Sequence, residues 1–310
     1  MSVPQQIIVS GGFDDIKSRD LRFLEEASKL GHLTVLLWPD GVLEKLTGRA
    51  PKFSLAERKY FLHAVRYVGQ IIEADATADF NSLPKTLQAD LWTDVAVTAN
   101  AAREEFAQKN KIAYRVFSAD DLNGFPEPPP MPSAPGRKKV IATGCYDWFH
   151  SGHVRFTEEA SAYGDLYLCL GNDANVRMLK GEGHPLLSQE ERRYVVGSIK
   201  YVKQALISTG SGWVDADPEI RRLRPDIYVV NEDGDKGGKR EYCRELGIEY
   251  LVLQRTPAPG LPKRSRRICA GFSQRAKPRS RSQNRQSAAH GCGLANGGLS
   301  FNPIPWPPRS

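Results

Sequence analysis

The sequence predicts two tandem α/β domains, each built on a parallel sheet, followed by a disordered basic tail. Three observations lead to this fold class. Segments of the first 124 residues recur in order some 133 positions later, strand-like runs alternate with helical patterns in both copies, and a proline-dense segment separates the copies. Strands that alternate with helices form parallel sheets whose two faces are covered by the crossover helices.

Matching segments indicate that the second block repeats the first. The segment at 11–14 (GGFD) aligns with 144–147 (GCYD), Arg22–Ser28 aligns with Arg155–Ser161, and Ser54–Tyr60 aligns with Ser188–Tyr194. The matches keep their order, with a single-residue gap before the last one. We therefore interpret the chain as an internal duplication.

Strands and helices follow from residue type and periodicity. Short runs rich in β-branched residues predict buried strands at Ile7–Ser10 and Lys139–Ala142. Further strands are predicted at Leu33–Trp38, Leu166–Leu170, Ile227–Val230 and Tyr250–Leu253. After the first strand of each copy, apolar residues recur at helical spacing and a glycine follows, so we expect a helix capped by Gly31 and another capped by Gly164. A further helix is predicted at Glu241–Leu246, ended by Gly247.

Composition places the domain boundaries at 1–124 and 138–262. Residues 125–137 contain six prolines and predict an extended, semi-stiff linker, because proline fixes φ and removes a backbone donor. Residues 263–310 hold ten basic residues and no acidic ones, whereas the first 261 residues hold 33 basic and 36 acidic residues. The net charge of +7 therefore comes from the tail, and the two domains themselves do not support nucleic-acid binding.

Composition also disfavours several classes of protein. No apolar run approaches the ~20 residues that a transmembrane helix needs, and the first residues lack the basic start and apolar core of a signal peptide. We therefore expect a cytoplasmic protein without membrane association. The five cysteines are odd in number and show no C-x-x-C spacing, so neither a disulfide framework nor a zinc site is predicted.

The candidate chemistry lies where the first strand of the second copy meets the following helix. Residues 143–153 read TGCYDWFHSGH, with two histidines three positions apart and a glycine between them. Gly144 lets a ligand approach the backbone, and a helix start presents free N–H groups and the positive end of the helix dipole. A lone histidine is more often a packed side chain, but His150 and His153 at such a junction predict one phosphate-sized pocket.

On the pattern G-x-[FY]-D-x-x-H-x-G-H at 144–153, residues 138–262 resemble the HxGH nucleotidylyltransferase superfamily in its cytidylyltransferase-like branch. The resemblance implies a Rossmann-like domain in which a phosphate-bearing alcohol or sugar phosphate attacks the α-phosphorus of CTP or ATP and releases pyrophosphate. Such a transfer depends mainly on positioning and on neutralising phosphate charge. The resemblance also implies Mg²⁺ bound with the NTP, and either a homodimer or an intramolecular pseudo-dimer.

The resemblance assigns roles to individual residues. It implies catalytic roles for His150, His153 and Lys180, the last of which matches a mobile lysine that neutralises the triphosphate. It implies nucleotide binding by Gly144, Cys145, Tyr146, Asp147, Gly152, Asn231, Asp233 and Arg255, and acceptor binding by Asp173 and Arg192. No residue is assigned as a protein ligand to a metal.

Simpler roles compete for four of these residues, Asp173, Asn231, Asp233 and Arg192. Asp173 is equally typical of a turn after a strand, and the acidic loop 231–236 is equally typical of a solvated turn. Arg192 has a counterpart, Arg58, in the first copy, which favours a structural role for both arginines.

The first copy has lost the motif. Lys17 and Asp20 stand where the second copy has its two histidines, and Thr47 aligns with Lys180. Asp20 would place negative charge where a phosphate would lie. We therefore expect residues 1–124 to be a catalytically inactive copy that packs against the active one.

The end of the second domain departs from the family pattern. The family closes this domain with a segment like R-S-S-T-x-[IL]-R, whereas this chain continues from Ser265 as Arg-Arg-Ile-Cys-Ala. If the codon of Ser265 ends in T, the bases T-CGA-CGG-ATC-TGC-GC encode that run in the given frame. When the same bases are grouped one position earlier, as TCG-ACG-GAT-CTG-CGC, they encode Ser-Thr-Asp-Leu-Arg. We therefore hypothesise that the chain is out of frame after about Ser265. The competing interpretation is a genuine basic disordered tail that contacts nucleic acid or acidic lipid.

Two further function classes stay open. The chain as written could be a catalytically impaired nucleotide-binding or regulatory protein, which would bind an NTP without releasing pyrophosphate. It could also bind nucleic acid through its tail, which predicts salt-sensitive binding that is lost on truncation at about Pro262.

The DNA sequence across codons 255–275 tests the frame hypothesis. We expect a one-base slip that restores Ser-Thr-Asp-Leu-Arg, and we expect the intact mass of the protein expressed from the corrected gene to differ from that of the 310-residue chain. Clean codons together with a mass that matches 310 residues would contradict the hypothesis and favour a native basic tail.

Overall fold

A computed structural model of the protein describes residues 5–77 and 79–263. The predicted disordered tail lies outside the described residues apart from Lys263, and so does the segment predicted to be out of frame. Both sheets belong to one compact unit of the chain.

The first half, residues 5–124, alternates strands and helices as predicted. Its elements are β1 (Gln6–Gly11), α1 (Ser18–Ser28), β2 (His32–Leu37), α2 (Asp40–Thr47), α3 (Leu55–Ala64), β3 (Gln70–Glu73), β4 (Leu91–Val95), α4 (Ala101–Lys109) and β5 (Ala113–Phe117). The strands form one parallel sheet in the order β3-β2-β1-β4-β5.

The second half, residues 138–262, repeats this layout. Its elements are β6 (Lys139–Gly144), α5 (Ser151–Ser161), β7 (Asp165–Leu170), α6 (Asp173–Lys180), α7 (Gln189–Gly197), β8 (Val202–Ile207), α8 (Asp217–Leu223), β9 (Ile227–Asn231), α9 (Lys239–Glu245) and β10 (Glu249–Leu253). The parallel sheet has the order β8-β7-β6-β9-β10, which is the strand order of the first half. The predicted fold class is confirmed, and the duplication stays a prediction that accounts for the shared order.

The six predicted strands are all present, but the two predicted glycine caps are wrong. Helices α1 and α5 end at Ser28 and Ser161, before the glycines. A Cβ atom on Gly31 or Gly164 would lie 2.2 Å from the carbonyl oxygen of the residue that precedes β1 or β6, so glycine is required by this close approach. Helices α1 and α5 have 11 residues each, and none of the helices in the described ranges is long and apolar enough to cross a membrane.

The proline-rich linker runs along the second half. The N–H of Met131 donates to the carbonyl of Lys203 in β8 at 2.9 Å, so the linker pairs with the edge strand of the second sheet. Arg66 donates to the carbonyl of Pro129 at 2.7 Å, and the ring of Pro128 packs on Gly197. The linker therefore contacts both halves.

Two equivalent segments pair across the interface between the halves. The N–H of Arg66 donates to the carbonyl of Ser198 at 2.9 Å, and the N–H of Lys200 donates to the carbonyl of Ala64 at 2.8 Å. Between them, Val65 and Ile199 form an antiparallel bridge. In the sequence repeat, Arg66 corresponds to Lys200 and Ala64 corresponds to Ser198. The two hydrogen bonds are therefore equivalent, as in an interface with twofold symmetry.

Side chains also form pairs of equivalent contacts between the two halves. The hydroxyl of Tyr60 donates to Glu158 at 2.6 Å, and the hydroxyl of Tyr194 donates to Glu25 at 2.9 Å. Helix α3 packs on α5 and α1 packs on α7, so the same helices of each half meet in both directions. These reciprocal contacts are the ones that the predicted intramolecular pseudo-dimer requires; the pseudo-dimer and a homodimer of the whole chain both stay predictions.

One hydrophobic core crosses this interface. It includes Val9 and Leu24 of the first half and Val140 and Val196 of the second, all buried within a single cluster. The opposite faces of the two sheets are covered by separate clusters. Because burial of apolar surface is the main favourable term in folding, neither half is expected to keep its stability without the other.

The two tyrosines provide a test of the reciprocal interface. We expect Tyr60→Phe and Tyr194→Phe each to lower the free energy of unfolding by about 1 kcal/mol, because each removes one hydroxyl that donates to a glutamate. Urea unfolding measures both effects, with Tyr163→Phe as the control because Tyr163 is exposed. Unequal losses that differ by several-fold would contradict equivalent contacts.

Candidate active site

The turn after β6 depends on an aromatic ring folded back over a glycine. Tyr146 has a φ of 51°, in the left-handed region that side chains other than glycine seldom adopt. Its buried ring covers Gly144, where a Cβ atom would lie 2.8 Å from the ring atom Cε2. Phe13 in the first half has a φ of 49° and its ring covers Gly11 in the same way. The G-x-[FY] part of the motif therefore encodes the turn.

The aspartate of the motif holds a neighbouring loop. The carboxylate of Asp147 accepts the N–H groups of Leu186 at 2.6 Å and Leu187 at 3.2 Å, and it lies 2.9 Å from Nδ1 of His184. Asp14 accepts the N–H groups of residues 52 and 53 in the first half. The structure thus places Asp147, which the resemblance assigned to nucleotide binding, in contact with the loop that follows α6.

The two histidines of the motif lie side by side at the start of α5. Their ring centroids are 4.1 Å apart, as the three-residue spacing predicts. His150 is the N-cap of α5, and its Nδ1 accepts the N–H of Gly152 at 3.1 Å. A neutral ring with Nδ1 as acceptor carries its proton on Nε2, which is then the nitrogen able to donate to a phosphate oxygen. The ring of Phe149 stacks on His153 at 5.3 Å between centroids.

A cleft of about 390 Å³ opens beside the start of α5. It is bordered by Ser151 and Gly152 of the helix, by Asn231 at the end of β9 and by residues 254–258 after β10. This position is the switch point of the sheet, where chain connections leave β6 in opposite directions and where parallel sheets bind ligands. A second cavity of about 280 Å³ lies between the halves, lined by His150 and Ser151 and by residues of the first half.

Three predicted nucleotide-binding residues, Gly152, Asn231 and Arg255, line the cleft. The side-chain oxygen Oδ1 of Asn231 is buried and has no hydrogen-bond partner among the described residues, so it can accept a bond from a ligand. Arg255 lines the cleft and pairs with Asp233 at 2.8 Å. Both side chains of this ion pair are partly exposed, so a phosphate group could compete with Asp233 for the guanidinium at little energetic cost.

Comparison with known proteins identifies the family. A family model described as cytidylyltransferase-like matches residues 141–283. The chain is 39% identical over 120 residues to the bifunctional protein HldE of Wolinella succinogenes, covering 38% of this chain and 24% of that protein. It is 36% identical over 120 residues to the FAD synthase of Ferroglobus placidus, covering 38% of this chain and 75% of that protein. The chain belongs to the cytidylyltransferase-like family.

This family comprises nucleotidyltransferases, so the resemblance drawn from the H-x-G-H motif is confirmed. The HldE protein of Aliarcobacter butzleri is 37% identical over 120 residues, which again cover 24% of that protein. The chain thus spans about a quarter of the length of these HldE relatives.

Arg192 lies away from the surface of this cytidylyltransferase-like half. Its guanidinium is fully buried and donates to the carbonyls of Cys145, Gly171 and Leu187 and to the carboxylate of Asp173. Arg58 makes the equivalent set of bonds in the first half, with Gly12, Trp38, Phe53 and Asp40. The geometry favours the structural interpretation of Arg192, while Asp173, one third exposed, lies at the surface of this edge.

Lys180, the third predicted catalytic residue, lies at the surface. It is exposed at the end of α6 and makes no hydrogen bond or ion pair with the part of the chain that the structure describes. The other end of α6 is held firmly, because Asn172 caps the helix and donates to the carbonyls of Ser208 and Gly210. The catalytic role of Lys180 stays a prediction.

The first half carries a carboxylate, Asp20, at the position where the second half has His153. The Oδ2 atom of Asp20 accepts the N–H of Lys17, the N-cap of α1, at 2.7 Å. Burial raises the pKa of Asp20. The carboxylate therefore occupies the helix start that in the cytidylyltransferase-like half is bordered by histidines, which agrees with the predicted loss of the site.

Sequence reasoning missed three residues of the cleft. Ser151, Arg155 and Glu159 all line it, and Arg155 pairs with Glu159 at 2.7 Å. Their spacing of four places them on one face of α5. That spacing was a usable signal, since the same helix begins in the H-x-G-H motif.

Gly144→Ala tests the turn. We expect a loss of about 1–3 kcal/mol in the free energy of unfolding, because the added methyl group forces the buried ring of Tyr146 to move. Thermal or urea unfolding measures the loss. Gly41→Ala is the matched control, since a Cβ atom there meets no neighbour within 4 Å and alanine favours a helix. Equal stability of the two variants would contradict this account of the motif.

Proposed function

We propose that the chain transfers a nucleoside monophosphate from CTP or ATP to a phosphorylated alcohol or a sugar phosphate and releases pyrophosphate. The observation that carries the proposal is the pair of histidine rings 4.1 Å apart at the start of α5, beside a cleft at the switch point of the sheet. Family membership supports the reaction type, and the substrates are proposed by class.

The reaction joins an oxygen of the acceptor phosphate to the α-phosphorus and breaks the bond between that phosphorus and the oxygen leading to the β-phosphorus. No carbon–oxygen bond changes, so the protein has to align two anionic groups and offset their charge. His150 and His153 would donate to the phosphate oxygens as charge builds up, together with the N–H groups of the first turn of α5.

The nucleotide would lie in the cleft. Asn231 would accept a hydrogen bond through its buried Oδ1, and Arg255 would exchange its contact with Asp233 for a contact with the nucleotide. Lys180, exposed at the end of α6, would contact the triphosphate, and Gly144, Cys145 and Tyr146 would shape the floor of the phosphate site through the turn.

A divalent cation such as Mg²⁺ would neutralise charge on the triphosphate when bound. Among the described residues no group of three His, Cys, Asp or Glu side chains is placed to hold a metal, so the protein offers no cage of its own. Mg²⁺ would be bound through the phosphate oxygens of the NTP with one or two carboxylates. Glu159 lines the cleft and would supply such a carboxylate contact.

The acceptor would approach from the side of Asp173, at the start of α6. Its carboxylate is held by the buried guanidinium of Arg192 at 2.7 Å and remains one third exposed. Arg192 would then act on the acceptor only by fixing Asp173. The relatives carry different names, HldE and FAD synthase, so the acceptor is proposed as a phosphorylated small molecule without a narrower identity.

Release of pyrophosphate from an NTP in the presence of phosphorylated alcohols and sugar phosphates tests the proposal. We expect His153→Ala to lower kcat by about 10²–10³-fold, because it removes one donor to the phosphates. Asp20→Ala, at the equivalent position of the first half, is the control and should keep the turnover of the unaltered chain.

Two results would contradict the proposal. One is a His153→Ala variant as active as the unaltered protein. The other is NTP binding without pyrophosphate release by a chain whose reading frame is confirmed, which would support the alternative of a nucleotide-binding protein with an impaired site.

A further inference from the structure

A glutamate of the first half reaches into the H-x-G-H motif of the second. The hydroxyl of Ser151, the residue between His150 and Gly152, donates to the carboxylate of Glu57. Both side chains are buried, Glu57 being 2% exposed and Ser151 6% exposed. Glu57, Ser151 and His150 line the same cavity between the halves.

A second contact reinforces the first. The indole N–H of Trp148 donates to Asp15 of the first half at 3.1 Å, and the indole ring lies 5.8 Å from the ring of His150. The turn that carries the histidines is thus held on both sides of His150 by carboxylates from the inactive half. Hydrogen bonds to a carboxylate are about twice as strong as bonds between neutral groups, and stronger still where water is excluded.

The same contact exists in the reverse direction, where it supports no site. The hydroxyl of Ser18, the first residue of α1, donates to Glu191 of the second half. Glu191 is the repeat counterpart of Glu57, and Ser18 is the counterpart of Ser151. The residues beside Ser18 are Lys17 and Arg19, so this copy of the contact positions no histidine.

We infer that Glu57 is a positioning residue for the phosphate site of the second half. It fixes Ser151, and through Ser151 the first turn of α5 and the ring of His150. The inactive half therefore completes the active one, and this inference rests on the function proposed above. The two reciprocal serine–glutamate contacts have different effects, because Ser151 lies between two histidines in the sequence and Ser18 does not.

The mirror contact supplies a matched control. We expect Glu57→Ala to lower kcat by about 10- to 100-fold with little change in KM for the NTP, because a small displacement of a donor to the phosphates reduces turnover more than binding. Glu191→Ala should lower the Tm by a similar amount, but it should keep kcat within about twofold of the unaltered chain. Misplacing a catalytic donor, by contrast, can lower the rate by about 10²-fold. Glu57→Gln retains an oxygen that accepts from Ser151, so it should recover part of the lost kcat.

Amide hydrogen exchange tests the inference without substrate. The N–H groups of Val154 and Leu21 make the first helical bonds of α5 and α1, to the carbonyls of His150 and Lys17 at 3.1 Å each. Glu57→Ala should speed exchange at Val154 and leave Leu21 unchanged, and Glu191→Ala should do the reverse.

The outcomes separate the two proposals. If the unaltered chain releases no pyrophosphate, the proposed function fails and exchange at Val154 still decides whether Glu57 fixes the turn. If the unaltered chain is active and Glu57→Ala retains as much kcat as Glu191→Ala, the positioning role is overturned. If Glu57→Ala does not fold, Ser151→Ala removes the same hydrogen bond from the side of the second half, and values of kcat and of exchange at Val154 equal to those of the unaltered chain would overturn the positioning role.

Discussion

One buried guanidinium holds the carboxyl edge of each sheet together. Arg192 binds carbonyls of the turn after β6, the end of β7 and the loop before α7. A buried charge is tolerated only when its hydrogen bonds are made, and the five donors of arginine have fixed directions. The three loops must therefore keep the spacing that this planar group imposes. The H-x-G-H motif begins five residues after Cys145, so its position depends on that spacing.

The first half has the same set of loops held by a buried arginine, although it lacks the two histidines. Arg58 makes the equivalent bonds in the first half, and the aromatic turn and the aspartate that anchors a loop are present there too. Lys17 and Asp20 nevertheless replace the histidines. The two halves share the side chains that satisfy buried polar groups and the rings that pack on glycines. They differ in the side chains at the start of the equivalent helices α1 and α5. Loss of a site and retention of a fold are therefore compatible.

The interface explains why the two halves act as one structure. Its backbone pairing at Val65 and Ile199, its reciprocal tyrosine–glutamate bonds and its continuous core bury surfaces that neither half could leave exposed. The same interface brings Glu57 and Asp15 against the turn that carries the histidines. Contacts between the halves thus lie at the N-terminal ends of α1 and α5, and at α5 they lie beside the proposed phosphate site.

The sequence by itself determined the alternating fold, six of the strands and the histidine pair, because these depend on periodicity and on residues close together in the chain. Tertiary structure decided the rest. The hydrophobic pattern does not predict strand β4, because β4 contains Asp94. This aspartate can be buried because it accepts hydrogen bonds from Arg103 and Tyr114. The bond from Ser151 to Glu57 joins residues 94 positions apart. Whether a buried polar group finds a partner depends on which elements pack together, and local patterns carry no information on that.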